Sequence, residues 1–303
     1  MKIGMVGLGR MGGNMARRIA RSGLDVVAWD RAAGARAGLA GEARVETLDT
    51  LEALVEALEA PRILWLMLPA GAPTEETVQF LSSRLATGDL LVDGANAWYR
   101  DSLRRAASLS AQGIDFVDAG VSGGVWGLEN GYGIMVGGTA GAVARLQPFL
   151  EVLAPAPDRG WLHCGGAGSG HYAKMVHNGI EYGLMQAYAE GFALLRARQE
   201  LQLDVAKIAE SWRHGTVIRS WLLDLTAQIL AEDDSLASVA PLVADSGEGR
   251  WAATEAIELG VPAPVMTVAL MERFASQGKA DYTNRLLARM RQAFGGHAVK
   301  RAR

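Results

Sequence analysis

The string Gly7-Leu8-Gly9-Arg10-Met11-Gly12 stands between an apolar run at residues 2–6 and a helical pattern at 12–22, and a second apolar run follows at 25–29. A bare Gly-x-Gly-x-x-Gly says little, but a strand before it, a helix after it and a strand next give it meaning. In that setting the first glycine makes a tight turn and the second lets the backbone approach a pyrophosphate. The third lets helix and strand pack, with phosphate at the helix N-terminus. The second run ends in Trp29-Asp30-Arg31, which places Asp30 where a carboxylate accepts hydrogen bonds from a free ribose 2′-hydroxyl. Against a 2′-phosphate, two like charges ~4 Å apart cost about 4 kcal/mol at an effective dielectric of about 20. NAD is therefore the expected cofactor and NADP the weaker alternative, with Arg31 the residue able to swing onto a 2′-phosphate. Gly7, Leu8, Gly9, Arg10, Met11, Gly12, Asp30 and Arg31 form the expected dinucleotide contact set.

The rest of the first half continues this grammar. Short apolar runs at 62–68, 90–93 and 115–118 read as further strands, and 50–58, 75–85 and 101–112 as helices. Alternation of the two implies a parallel sheet with helical crossovers. Beyond about residue 165 strand signals stop, and 170–198, 204–214, 217–232, 247–259, 264–276 and 281–293 read as helices. The expected fold is an α/β Rossmann-type N-terminal domain with a mostly parallel sheet, residues 1–163, followed by an all-α domain, residues 164–303. The glycine-rich turn at 165–170 is the expected joint. Loops after successive strands fall at one sheet edge, where ligands of such sheets bind. They are Leu68-Pro69-Ala70-Gly71, Asp93-Gly94-Ala95-Asn96 and Val121-Ser122-Gly123-Gly124. Leu68, Pro69, Ala70 and Asn96 accordingly join the cofactor set.

The helix expected to follow the joint has an unusual face. Lys174, His177, Asn178, Glu181 and Tyr182 occupy i, i+3, i+4, i+7 and i+8, a single stripe at about 100° per residue. A core-facing helix would fill that stripe with aliphatic side chains. A merely solvated face would repeat Lys, Glu and Arg. An amine and a carboxyl among an imidazole, a carboxamide and a phenol suit proton transfer in both directions.

Bulk properties exclude several classes. A net charge of −3 gives no electrostatic reason to expect nucleic acid or a membrane surface as partner. The single cysteine, Cys164, rules out an intramolecular disulfide and suits a reducing compartment. It is expected as a buried packing residue rather than a catalytic thiol. The longest apolar run, 63–69, is far short of the ~20 residues that span a bilayer, and the N-terminus leaves no room for a signal peptide. The expected location is cytoplasmic. No clustered Asp/His ligand set appears, so no metal is expected.

These strings resemble one family, the decarboxylating 6-phosphogluconate dehydrogenases within the broader β-hydroxyacid dehydrogenases. Gly120-Val121-Ser122-Gly123-Gly124 resembles the family's substrate loop, and residues 174–182 resemble its catalytic helix. Asp93-Gly94-Ala95-Asn96, followed by Tyr99-Arg100-Asp101, is similar to a family segment with Gly and Ser where Ala95 and Ala97 stand here. Arg291 to His297 resembles the segment whose arginine and histidine grip substrate phosphate from a neighbouring subunit, and Arg273 looks like another phosphate-binding arginine. Ser246 stands in the place of a phosphate-binding lysine of the long forms, with Arg250 nearby. The C-terminal half is about half the length of the better-known members, which matches the short, often NAD-using branch.

The resemblance implies oxidation of the 3-hydroxyl of 6-phosphogluconate, decarboxylation and protonation of the enediol, giving ribulose 5-phosphate. Lys174 would act as base and Glu181 as acid, the latter requiring a desolvated site. Asn96, Ser122, Gly123, Gly124, His177, Asn178, Tyr182, Arg273, Arg291 and His297 would bind substrate. His163, His171 and His214 are expected to be structural; Trp126 and Glu129 either line the site or pack. A homodimer or homotetramer is implied, because Arg291 and His297 would complete a neighbour's site. The competing readings are a non-decarboxylating relative, such as a hydroxyisobutyrate dehydrogenase or tartronate semialdehyde reductase, and a dinucleotide sensor without turnover.

Overall fold

The computed structural model describes residues 1–300, and the basic residues Arg301 and Arg303 lie outside them. Among the described residues one eight-stranded sheet carries the first half, in the order β3-β2-β1-β4-β5-β6-β7-β8. The strands are β1 Lys2–Val6, β2 Asp25–Trp29, β3 Val45–Thr47, β4 Ile63–Leu66, β5 Leu90–Asp93, β6 Asp115–Ser122, β7 Gly133–Gly138 and β8 Trp161–Gly165. Every pairing is parallel except β6 with β7. The helices between the strands are α1 Arg10–Arg21, α2 Ala33–Ala37, α3 Leu51–Glu56, α4 Ala72–Ser82, α5 Tyr99–Ser110, α6 Gly127–Asn130 and α7 Ala140–Leu153. Side chains of α1 and α7 fill the core on one side of the sheet, among them Met15, Ile19, Leu146 and Phe149. Leu54, Val78, Leu81 and Leu109 from α3, α4 and α5 fill the other.

The mostly parallel sheet followed by helices agrees with expectation, and three strands (β3, β7 and β8) and three helices (α2, α6 and α7) add to it. β3 has only three residues. Three of the six residues in β7 are glycine, a composition that argues against a strand on propensity alone. Two of them are required by packing: a Cβ on Gly137 would lie 2.6 Å from Asp118 Oδ1 and 2.7 Å from Ser169 Oγ, and one on Gly138 would lie 2.9 Å from Phe116 O. Pro148 inside α7 interrupts the helical pattern there. Strand β6 runs on to Ser122, so Val121 and Ser122 are strand residues and not loop, held by antiparallel pairing with Ile134 and Gly133.

The second half is helical: α8 Ser169–Ala197, α9 Val205–Trp212, α10 Trp221–Glu232, α11 Glu248–Leu259, α12 Pro264–Ser276 and α13 Asp281–Gly295. No helix among the described residues is long and apolar enough to cross a membrane. The chain divides into compact units 1–175 and 176–303, with the division inside α8 and not at the glycine turn. The start of α8 belongs to the first unit for a physical reason. The Asp118 carboxylate accepts the N–H groups of Gly168 at 2.6 Å and His171 at 2.7 Å, capping the helix from β6. Gly170 lies so close to the strands that a Cβ would be 2.5 Å from Met135 O and 2.6 Å from Asp118 O. Burial pushes the Asp118 carboxyl up, opposed by the charge of His171 and by the two N–H groups it accepts. His171 is buried, with Nδ1 2.7 Å from Ser102 Oγ on α5. Cys164 is only partly buried near the end of β8, contrary to expectation, because the edge strand leaves one side of it uncovered.

Candidate active site

The glycine fingerprint turns from β1 into α1. Gly7 has φ +94° and approaches β4 so closely that a Cβ would be 2.4 Å from Met67 O, while one on Gly12 would be 2.0 Å from Gly7 O. Both glycines are therefore required by the protein's own packing. Gly9 differs: a Cβ there would meet nothing within 4 Å. Its small size serves the open side, where a ligand's phosphates would meet the N-terminus of α1. A cavity of about 330 Å³ lies there, lined by Gly9, Arg10, Met11, Gly12, Met67, Leu68, Pro69, Gly94, Ala95, Asn96 and Val121. Loops after β1, β4 and β5 thus meet at one edge, together with Val121 near the end of β6. Ala70, placed in the cofactor set from sequence, does not line this cavity; the chain has already turned toward α4.

Asp30 closes the neighbouring corner. Its carboxylate accepts the Leu8 N–H at 2.7 Å and the Ala32 N–H at 2.8 Å, which ties the end of β2 to the fingerprint loop. Carboxylate oxygens keep further lone pairs for a ribose hydroxyl. Arg31 is exposed beside it. Helix α1 is anchored in turn by Arg18, whose guanidinium donates to the carbonyls of Leu128 at 3.0 Å, Val152 at 2.8 Å and Ala154 at 2.8 Å. These carbonyls lie at the ends of α6 and α7, so the cofactor helix is bonded to the segment that follows Ser122, Gly123 and Gly124. Gly123 and Gly124 have φ +135° and +52°, a turn that residues with a Cβ resist. Trp126 is 44% exposed and Glu129 is exposed, so neither is a packing residue.

Lys174 is buried on α8, its stem against β6: a Cβ on Gly120 would be 2.3 Å from Lys174 Cβ. Gly120 of β6 and the lysine are thus in van der Waals contact, which sequence alone could not show.

In the second unit the stripe continues along α8. Asn178 and Tyr182 are buried, whereas His177 and Glu181 have side chains 42% and 40% exposed. The desolvation expected around Glu181 is therefore not provided by this chain as it stands. His177 Nδ1 lies 3.0 Å from Asn178 Oδ1 and 4.0 Å from Glu181 Oε2. Asn178 Nδ2 donates to Glu248 Oε1 at 3.2 Å, and Ser246 Oγ donates to Glu248 Oε2 at 2.6 Å. Tyr182 OH is 3.4 Å from Ser246 Oγ. The guanidinium of Arg273 sits 3.4 Å over the Tyr182 ring, a cation–π contact, and donates to Ala244 O at 3.0 Å. The structure thus brings Tyr182, Ser246 and Arg273 together. Arg250 instead pairs with Asp245 and lies over the Phe274 ring. Arg291 on α13 and His297 beyond its Gly296 cap are both exposed. Glu248 was absent from the sequence reading; nothing in its local pattern separates it from a surface glutamate at a helix start. Among the described residues no group of three or more His, Cys, Asp or Glu is placed to hold a metal.

Comparison with known proteins gives this geometry a family. Residues 2–165 match the NAD binding domain of 6-phosphogluconate dehydrogenase, and residues 170–294 match the 6-phosphogluconate dehydrogenase C-terminal domain. The chain is 43% identical over 302 residues to the NAD(+)-dependent, decarboxylating 6-phosphogluconate dehydrogenase of Haloferax volcanii, covering 99% of each. It is 38% identical to the putative 6-phosphogluconate dehydrogenase YqeC of Bacillus subtilis, covering 99% of this chain and 100% of the other. Among solved structures it superposes on Plasmodium falciparum 6-phosphogluconate dehydrogenase with a TM-score of 0.85 at 29% identity, over 100% of this chain and 66% of that one. With both halves matched, and with the lysine helix capped onto the dinucleotide sheet as described, the chain belongs to the 6-phosphogluconate dehydrogenase family.

Proposed function

We propose that this protein oxidises and decarboxylates 6-phosphogluconate to ribulose 5-phosphate, with NAD preferred over NADP. The observation that carries the reading is the buried Lys174, packed on Gly120 of the substrate-loop strand and one helical turn before Asn178. Bound NAD supplies the hydride acceptor. The residues present fit it: Gly9 leaves open space at a helix N-terminus, and Asp30 presents a carboxylate at the ribose corner. That carboxylate disfavours a 2′-phosphate, and the Haloferax relative is NAD(+)-dependent.

Lys174 takes the proton of the substrate 3-hydroxyl as C3 is oxidised, then returns it to the 3-keto oxygen as C1 leaves as carbon dioxide. The electron pair of the broken C1–C2 bond forms the enediol. Glu181, two turns and about 10 Å further along α8, protonates C2 from the other end of the stripe. Asn178 and Ser122, with the backbone of Gly123 and Gly124, hold the hydroxyl and carboxylate groups, and Asn96 lies between substrate and cofactor. Tyr182 and Arg273 take the phosphate, together with Arg291 and His297 of a second copy. That second copy also supplies the cover that Glu181 lacks in the single chain.

The test is direct: NADH formation and carbon dioxide release, measured together with 6-phosphogluconate. Equimolar release is expected, with kcat/KM higher for NAD than for NADP. NADH without carbon dioxide would assign the chain to non-decarboxylating chemistry, and a strong NADP preference would reverse the cofactor assignment.

A further inference from the structure

Glu248 opens α11 and is 2% exposed, yet the reaction as derived above gives it no task. It has no ion-pair partner among the described residues. Instead, at the N-terminus of α11, it accepts hydrogen bonds from two side chains, Asn178 Nδ2 and Ser246 Oγ. A carboxylate only accepts hydrogen bonds, so the atom of Asn178 that faces it is the amide nitrogen. The carbonyl oxygen of Asn178 must then face the other way, where His177 Nδ1 lies 3.0 Å from it. A carbonyl oxygen also only accepts, so Nδ1 of His177 carries hydrogen. Glu181 Oε2, at 4.0 Å, is too distant to take that hydrogen from Asn178. The bonds therefore run in one direction, from His177 to Asn178 to Glu248.

We propose that Glu248 is a positioning residue of this active site. By anchoring Asn178 it fixes which end of the amide serves the substrate and holds neutral His177 as the Nδ1–H tautomer. The Nε2 of His177 is then an acceptor, suited to a hydroxyl of the sugar acid and not to its carboxylate or phosphate. The substrate assignment rests on the function proposed above, whereas the tautomer does not.

The first experiment needs no substrate. Long-range ¹H–¹⁵N correlation spectra of histidine-labelled protein at pH 8 report the tautomer of each ring, with His177 assigned by its loss in His177→Gln. The wild-type ring is expected as Nδ1–H; an Nε2–H pattern overturns the proposal without any variant at Glu248. The second experiment compares Glu248→Leu, which removes both acceptors, with Glu248→Gln, whose amide oxygen can still accept from Asn178. Glu248→Leu is expected to lose the Nδ1–H pattern and to lower kcat/KM for 6-phosphogluconate by about 10- to 100-fold, the scale of a lost charge-assisted hydrogen bond. The dissociation constant for NAD should stay within twofold of wild type, and Glu248→Gln should keep both the tautomer and most of the activity. Parallel losses in NAD affinity and in substrate kcat/KM, with the tautomer retained, would make Glu248 merely structural. Wild-type protein that releases no carbon dioxide from 6-phosphogluconate would instead sink the functional reading and leave the tautomer result standing.

Discussion

A Cβ placed on Gly120 would come 2.3 Å from the Cβ and 2.9 Å from the Cγ of Lys174. Those are stem atoms, not the far end of a flexible chain, so Gly120→Ala forces α8 away from β6. Overpacking of this kind costs about 1–3 kcal/mol. A catalytic group displaced by about 1 Å can lose on the order of 100-fold in rate. Gly120→Ala is therefore expected to lower kcat far more than it lowers Tm, with both measured on the same preparation. A kcat near wild type would mean that the base is not held by this contact. Lys174→Met keeps the stem and removes the amine. Loss of a general base of this kind costs about 10²- to 10⁴-fold in kcat, while NAD binding, followed by fluorescence titration, should persist. Unchanged turnover in that variant would remove Lys174 as the base.

Two helices that flank the dinucleotide cavity are joined by ions. Glu75, in the first turn of α4, pairs with Arg104 at 2.8 Å and Arg105 at 3.0 Å on α5, and buried Arg105 reaches Asp93 at the end of β5 at 2.7 Å. The hydrogen bond from Arg104, then that from Arg105 and the two charges, hold the Glu75 carboxyl at about 2 against the opposing effect of burial. Its folded value lies below the ordinary 4.5, so the unfolded chain takes up the proton first as pH falls. The stabilisation is whole above pH 4.5 and drains away between about 4.5 and 2. At ~1.36 kcal/mol per pH unit the upper bound is about 3 kcal/mol, and partial exposure of the side chain reduces it to about 2. Glu75→Gln should therefore cost about 2 kcal/mol in urea unfolding at pH 7 and almost nothing at pH 2. A difference that does not change with pH would remove the ion pairs from the explanation. At this scale the sequence was a good guide where periodicity was strong: β1, β2, β5 and α12 run over the expected residues. It failed where tertiary contact overrides propensity, as at β7, where Asp118 and Ser169 leave no room for a Cβ at Gly137. The same holds for the site. Lys174 and its stripe showed as a helical pattern, but Glu248, the Asp118 cap and the Gly120 contact join residues 50 to 70 positions apart and leave no local mark.

In the whole molecule, the second unit exposes many large apolar side chains, and exposed apolar patches mark interaction surfaces. On α13, Tyr282, Leu286, Leu287 and Met290 are all exposed, and they follow the spacing of an amphipathic helix whose apolar face has no cover among the described residues. Arg291 lies on the same helix, so a second copy that covers this face also fixes where Arg291 reaches. If Arg291 completes a neighbour's site, Lys174 and Arg291 of one site come from different chains. Each single variant, Lys174→Met or Arg291→Ala, then spoils every site of its own homo-oligomer. When the two are co-expressed in equal amounts, half the sites have an intact Lys174 and half of those receive an intact Arg291 from the partner. About a quarter of wild-type activity should return, whether the assembly is a dimer or a tetramer. If Arg291 acts within its own chain, no site in the mixture is whole and activity stays at the level of the single variants. Dilution of wild-type enzyme supplies the independent check: turnover per chain should fall as the assembly dissociates, and a fully active monomer would refute the shared site.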